Sequence, residues 1–259
     1  MSAEEVVIFK GQVAVVTGAA QGLGAATAEL LARRGAAVTL TDINESALTQ
    51  TAARLAAAGH DVYAHPADLT QEDQANQMVA ATMRWRGRID VLANIAGTYP
   101  FIPFDQLTLD DWHGVLAASL DTTFLCTRAV LPHMRASRYG RIVNISSGTF
   151  QSPLPGLSAY VTAKAGIIGF TRQLSREVAG EGITVNLVMP GLIENEHTLS
   201  MIDDKAAVDA VFDGVLASQS IQRRGLPIDI ARGFAYLASP ESEFITGQIL
   251  DIGGGCTYH

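Results

Sequence analysis

Thr17-Gly18-Ala19-Ala20-Gln21-Gly22-Leu23-Gly24 joins a β-branched run, Val13 to Thr17, to an Ala/Leu-rich stretch, Gly22 to Arg34, that Gly35 closes. A strand, a glycine-rich turn and a helix in that order open a nucleotide-binding α/β sheet. The glycines permit a tight turn, close approach of backbone to a pyrophosphate, and close packing of helix on strand. The first turn of the helix adds unpaired N–H groups and the positive end of its dipole, both suited to phosphate.

Working outward, the same alternation continues. Val38 to Asp42 reads as a second strand, followed by an Ala-rich helix ending near Gly59. Val62 to Ala67, Ile89 to Asn94, Arg141 to Ser146, Thr184 to Pro190 and Gln248 to Ile252 extend the strand series. Helical stretches lie near 71–86, 109–136, 157–179 and 228–238. Strands alternating with helices predict one α/β domain over 1–259, a doubly wound parallel sheet with right-handed crossovers and helices on both faces. Residues 191–226 interrupt the pattern and are too long for a simple connection, so they are expected to form a lid over the substrate.

Composition narrows the function. A net charge of -8 and 18 Lys+Arg with no run longer than Arg33-Arg34 or Arg223-Arg224 argue against a nucleic-acid partner. The 2 cysteines are too few for a disulfide framework, and Cys126 falls in an apolar helical pattern that suggests core. No two of the 6 histidines have the spacing of a helical metal site, so no metal is expected. The acidic start Met-Ser-Ala-Glu-Glu and the lack of an uninterrupted apolar run of roughly 18 residues predict a cytoplasmic protein with no membrane association.

Asp42 ends the second strand about 20 residues beyond the turn, where a carboxylate accepts hydrogen bonds from ribose hydroxyls and repels the extra phosphate of NADP. No Arg or Lys follows in Thr41-Asp42-Ile43-Asn44, and Asn44 can cap the next helix, so NAD is the expected cofactor. Tyr160 and Lys164, four apart, share one helical face, and Ser146-Ser147 ends the fifth strand, at the edge where open α/β sheets bind ligands. A free tyrosine titrates near about 10, and a neighbouring ammonium favours its phenolate.

The glycine-rich turn, Asn94-Ile95-Ala96-Gly97, Ser147, Tyr160-x-x-x-Lys164 and Pro190-Gly191 together resemble the classical short-chain dehydrogenases/reductases, from about residue 10 to the C-terminus. The resemblance implies a Rossmann-type sheet of seven parallel strands and a homotetramer. It implies Tyr160 as general acid/base, Lys164 as the residue that holds the nicotinamide ribose and lowers the tyrosine pKa, and Ser147 as the group orienting the substrate oxygen. Cofactor contacts carried over in the same way are Gly18, Gln21, Gly22, Leu23, Gly24, Asp42, Ile43, Asp68, Leu69, Asn94, Ala96, Gly97, Tyr160, Lys164, Pro190, Gly191 and Ile193.

Departures from the family pattern stand at Ser119, where the family has a catalytic Asn, at Ile95, at Asn195 in place of the Thr near the cofactor amide, and at Gly253 in place of an Asp. Tyr99 to Thr108 is similar to a loop of the 1-phenylethanol dehydrogenase branch. Ser158 to Arg172, Pro190 to Glu194 and the His-terminated tail look like the pyridoxal 4-dehydrogenase branch. Tyr99, Phe101, Ile102, Phe104, Phe150, Leu192, Ile193, Met201, Val211 and Phe212 are candidates for an apolar pocket. The expected activity is NAD-dependent interconversion of an alcohol and a ketone or aldehyde on a hydrophobic or ring-bearing molecule. The alternatives are a 3-oxoacyl-thioester reductase and, in another class, a non-catalytic NAD-binding regulator or scaffold.

Overall fold

All five residues of β1 (Val13–Thr17) are buried, as a strand covered on both faces requires, and the run is accordingly continuous rather than alternating in polarity. The computed structural model describes residues 7–200 and 205–257. β1 pairs in parallel with β2 (Ala37–Asp42) on one side and β4 (Val91–Asn94) on the other. With β3 (Val62–Pro66), β5 (Gly140–Ile145), β6 (Ile183–Pro190) and β7 (Ile249–Ile252), they form a seven-stranded parallel sheet in the order β3-β2-β1-β4-β5-β6-β7. The chain reverses its direction of travel across the sheet between β1 and β4, which opens a crevice beyond the carboxyl ends of those strands.

Three helices cover each face. α1 (Gly22–Arg33), α2 (Glu45–Ala57) and α9 (Pro227–Ala238) bury Leu31, Leu48, Leu55 and Phe234 against one side. α3 (Glu72–Arg86), α5 (Thr122–Ser137) and α6 (Ser158–Glu177) bury Met78, Cys126, Met134 and Leu174 against the other. Cys126 is fully buried, as its apolar surroundings in sequence suggest, and burial pushes its thiol up to about 12.

Two stretches differ from expectation. The single helix expected at 109–136 is α4 (Leu109–Leu116), one π-helical turn at Ala117–Asp121, and then α5. The wider turn shifts the hydrogen-bond frame, and threonine side chains take up two of its carbonyls: Thr122 Oγ1 donates to Ala117 at 3.0 Å and Thr123 Oγ1 to Ser119 at 2.8 Å. The interruption at 191–226 holds two helices, α7 (Glu196–Ser200) and α8 (Lys205–Leu216). Leu109–Ser137 as a whole is long and apolar enough to cross a membrane by length and composition. No uninterrupted apolar run marks it, because polar residues interleave on both sides, the buried Thr122, Thr123 and Thr127 among them; in the fold Cys126, Val130 and Met134 face the sheet core.

Candidate active site

The glycine-rich turn lies where β1 meets α1. Gly18 adopts φ +65°, and a Cβ there would stand 3.0 Å from Ala96 Cα; a Cβ on Gly24 would stand 2.0 Å from the Gly18 carbonyl oxygen. Only glycine fits either place. Gln21 precedes α1 without capping it, and the first turn, which opens with Gly22 and Leu23, has no acid, so the helix dipole there stays uncompensated. Thr17 Oγ1 accepts from the Ile95 and Ala96 amides at 2.9 and 3.0 Å, binding the turn to the loop after β4. Nothing in the local sequence marks Thr17 for this role, which depends on a loop far along the chain.

Asp42 lies at the end of β2. Its carboxylate accepts from the Ala20 amide at 3.1 Å and the Asn44 amide at 2.9 Å, so it faces the turn from across the crevice. Asn44 caps α2 by accepting from Ala47 at 3.1 Å. Ile43 is 72% exposed beside it. After β3, Asp68 accepts from the Thr70 amide and hydroxyl, and Leu69 buries its side chain in the core. The Asn94 side chain is also turned inward: it donates to Thr127 at 3.1 Å and Asn144 at 2.8 Å, and Asn144 donates to Thr171 at 2.9 Å. Its part is to tie β4 and β5 to α5 and α6.

Ser147, Tyr160 and Lys164 come together at the carboxyl end of β5. The Ser146 hydroxyl donates to the Lys164 carbonyl at 3.0 Å, which anchors the start of α6 to the strand end. Ser147 is hydrogen-bonded to Tyr160. Lys164 Nζ lies 5.7 Å from the centre of the Tyr160 ring and donates to the Ile145 carbonyl at 3.4 Å. Burial pushes the Tyr160 phenol up to about 12, opposed by the Ser147 hydrogen bond, with a smaller upward push from Tyr99. Burial also brings the Lys164 ammonium down to about 8. The shift of Tyr160 is thus opposite to the downward direction expected of a lysine neighbour, because desolvation outweighs the Ser147 hydrogen bond.

Ser119 sits in the π-helical turn with its hydroxyl buried and without a hydrogen-bond partner. A Cβ placed on Gly97 would stand 3.0 Å from Ser119 Oγ and 3.4 Å from Lys164 Nζ. Both polar atoms therefore face the space that glycine keeps open. Buried hydroxyls are almost always paired, and orphans recur at functional sites, as do π turns.

A cleft of about 900 Å³ rises above this floor, lined among others by Leu23, Gly97, Pro190, Gly191 and Ile193 from the cofactor side. Tyr99, Phe101, Leu192, Val211 and Phe212 line it as expected of a pocket, whereas Ile102, Phe104 and Phe150 do not. Phe104 and Phe150 are 74% and 47% exposed. Met201 lies outside the described residues. Lys164 is the only charged side chain in the described lining. The segment above the cleft is latched. The Tyr99 phenol is hydrogen-bonded to Thr198, whose hydroxyl donates to the Ile193 carbonyl at 2.8 Å. Arg224 pairs with Glu194 at 2.7 Å and Asp209 at 2.6 Å while stacking on Phe212. Asn195 caps α7 through the Thr198 amide at 3.0 Å. Gly253 packs on Gly191: a Cβ on the latter would stand 2.8 Å from Gly253 Cα.

Comparisons with known proteins cover nearly the whole chain. The sequence profile of a family described as enoyl-(acyl carrier protein) reductase matches residues 18–257. A hydroxy(phenyl)methylsuccinyl-CoA dehydrogenase subunit of Thauera aromatica is 40% identical over 247 residues, covering 95% of this chain and 97% of that one. The 2,3-dihydroxy-2,3-dihydro-p-cumate dehydrogenase of Pseudomonas putida is 38% identical, covering 96% and 95%. The 3-oxoacyl-acyl-carrier-protein reductase of Escherichia coli is 37% identical, covering 95% and 98%. The crystal structure of a short-chain dehydrogenase/reductase, glucose/ribitol dehydrogenase, from Brucella melitensis superposes with a TM-score of 0.88 at 31% identity, covering 97% and 99%.

Proposed function

The chain belongs to the classical short-chain dehydrogenase/reductase family, and from that premise we propose that it is an NAD-dependent oxidoreductase interconverting an alcohol and a ketone or aldehyde on a hydrophobic, ring-bearing small molecule. The observation that carries the reading is Ser147, Tyr160 and Lys164 meeting at the floor of a cleft in which Lys164 is the only charged side chain of the described lining. Such a wall favours an uncharged substrate body. The phenyl group in the name of the Thauera relative's substrate supports a ring beside the reacting carbon, while the CoA thioester in the same name favours the second reading below.

A nicotinamide dinucleotide fits the residues present. The uncapped start of α1 and the bare faces of Gly18 and Gly24 suit a pyrophosphate, Asp42 suits a ribose diol, and exposed Ile43 suits a flat ring. Asp42 favours NAD, because a 2′-phosphate would meet its carboxylate. When bound, the nicotinamide supplies the carbon that accepts or gives hydride.

In the oxidising direction Ser147 Oγ holds the substrate oxygen and Tyr160 Oη takes the hydroxyl proton. The Lys164 ammonium favours the phenolate. Ser119 Oγ, with its hydrogen-bonding capacity unspent, suits a water that carries the proton onward past Gly97. The segment at about 191–226 acts as the substrate lid, held by the Tyr99–Thr198 and Arg224 contacts. Free Cys126 and Cys256 suit the reducing cytoplasm. Exposed Leu109 and Phe124, with Phe124 edge-on to Phe170, suit assembly into a homotetramer.

The 37% identity to the Escherichia coli reductase favours a second reading, reduction of a 3-oxoacyl thioester. One experiment decides between them: purified enzyme assayed with secondary alcohols, ring-bearing ketones, 3-oxoacyl thioesters and sugars, each with NAD(H) and NADP(H). Preference for ring-bearing alcohols with NAD supports the proposal, and preference for thioesters or sugars overturns it. Tyr160→Phe is expected to abolish turnover while leaving NADH binding intact; substantial residual activity would count against the assigned base.

A further inference from the structure

Thr149 stands two residues beyond Ser147 and lines the same cleft. Its hydroxyl lies 2.8 Å from Ser147 Oγ and donates to it. Its backbone amide donates to the same oxygen at 3.3 Å. Ser147 Oγ therefore faces three groups: the Thr149 amide, the Thr149 hydroxyl and the Tyr160 phenol.

Proton counting fixes their directions. A serine hydroxyl has one proton to donate and two lone pairs to accept with. The amide can only donate. A Tyr160 phenolate can only accept, so it takes the single Ser147 proton. The Thr149 hydroxyl must then donate to Ser147, filling its remaining lone pair. The result is a directed chain from Thr149 Oγ1 to Ser147 Oγ to Tyr160 Oη, in which each bond polarises the next. The amide contact is a turn cap that any non-proline residue at 149 would supply. The hydroxyl is the additional element, and turn formation does not need it.

We infer that Thr149 is a positioning residue for proton transfer, donating to Ser147 so that the serine's own proton is held on the Tyr160 oxygen whenever that oxygen is ionised, until a bound substrate oxygen takes that proton over. This rests on the proposed oxidoreductase reading. It adds a member to the hydrogen-bonded group without placing it against the reacting carbon. Thr149 acts through Ser147 and leaves cofactor binding alone.

The test compares Thr149→Val, which keeps the shape and removes the hydroxyl, with Thr149→Ser, which keeps the hydroxyl. The Tyr160 phenolate is followed by ultraviolet difference titration with NAD saturating, its signal identified by loss in Tyr160→Phe. Thr149→Val is expected to move that titration up by about half a pH unit or more and Thr149→Ser to return it toward wild type. With 1-phenylethanol as substrate, the acid limb of the kcat/KM profile should move the same way and kcat fall about threefold or more, with NADH affinity unchanged. A Thr149→Val titration coincident with wild type overturns the inference, even where Tyr160-dependent turnover upholds the oxidoreductase reading. A shifted titration in a protein that turns over no alcohol or carbonyl would leave the hydrogen-bond chain standing and remove the enzymatic reading instead.

Discussion

Tyr99 and Tyr160 lie ring to ring, their centroids 5.6 Å apart and their planes inclined by 51°. One ring belongs to the phenol proposed to handle the proton, and the other is hydrogen-bonded to Thr198 of α7. The ring that packs on Tyr160 is thus also the one tied to the proposed lid. Tyr99→Phe keeps the ring and removes the tie. We expect KM for a hydrophobic alcohol to rise about fivefold with kcat within about twofold, because the lid closes less often but the floor is intact. Steady-state kinetics check this; an equal loss in kcat at constant KM would assign Tyr99 a role in the chemistry.

Lys164 gives a pH dependence of stability with a defined sign. Burial lowers its pKa from 10.5 to about 8, so between those values the unfolded chain binds more protons than the folded one. Stability contributed by this group therefore rises with pH across that window. Relative to Lys164→Met, the wild type should gain roughly 2 kcal/mol between about pH 7 and pH 9.5. Urea unfolding of both proteins at the two pH values measures it, and parallel curves would contradict it.

Ser119→Ala separates stability from function. Its hydroxyl is buried with no protein partner, so removing it should leave stability unchanged or raise it by about 1 kcal/mol. If the hydroxyl serves proton transfer, kcat should fall about tenfold in the same variant. Denaturant midpoints and initial rates test the pair of outcomes together; a destabilised, fully active variant would make Ser119 a structural residue.

Asp42→Ser should move cofactor preference. Removing the carboxylate removes repulsion of a 2′-phosphate, at the cost of the acceptor for Ala20 and Asn44. The ratio of kcat/KM for NAD over NADP is expected to fall by about 100-fold. An unchanged ratio would mean that cofactor choice is made elsewhere.

The strands and the glycine turn were legible in sequence because their signals are local: β-branched runs, glycines at Gly18 and Gly24, and an acid closing β2. Tyr160 and Lys164 were legible because helical spacing puts them on one face. The direction of the Tyr160 shift was not, since it depends on desolvation by residues far along the chain. The π turn at Ala117–Asp121 has no composition cue; its frame shift is stabilised by Thr122 and Thr123, which read as ordinary helix residues. α7 and α8 were hidden by a loose apolar pattern, and their anchorage by Arg224 joins residues 30 and 15 positions apart. Thr149 and Thr17 escaped notice because a hydroxyl's role lies in what it points at.

The contact of Gly253 with Gly191 ties the last strand to the wall of the cleft. Gly191 follows β6, Gly253 follows β7, and Gly253, Cys256 and Thr257 line the same space as Gly191 and Leu192. A side chain at Gly191 would meet Gly253 backbone and force the ends of the two strands apart. The shape offered to a substrate is therefore set in part by how closely two bare backbones can approach, at positions far apart along the chain.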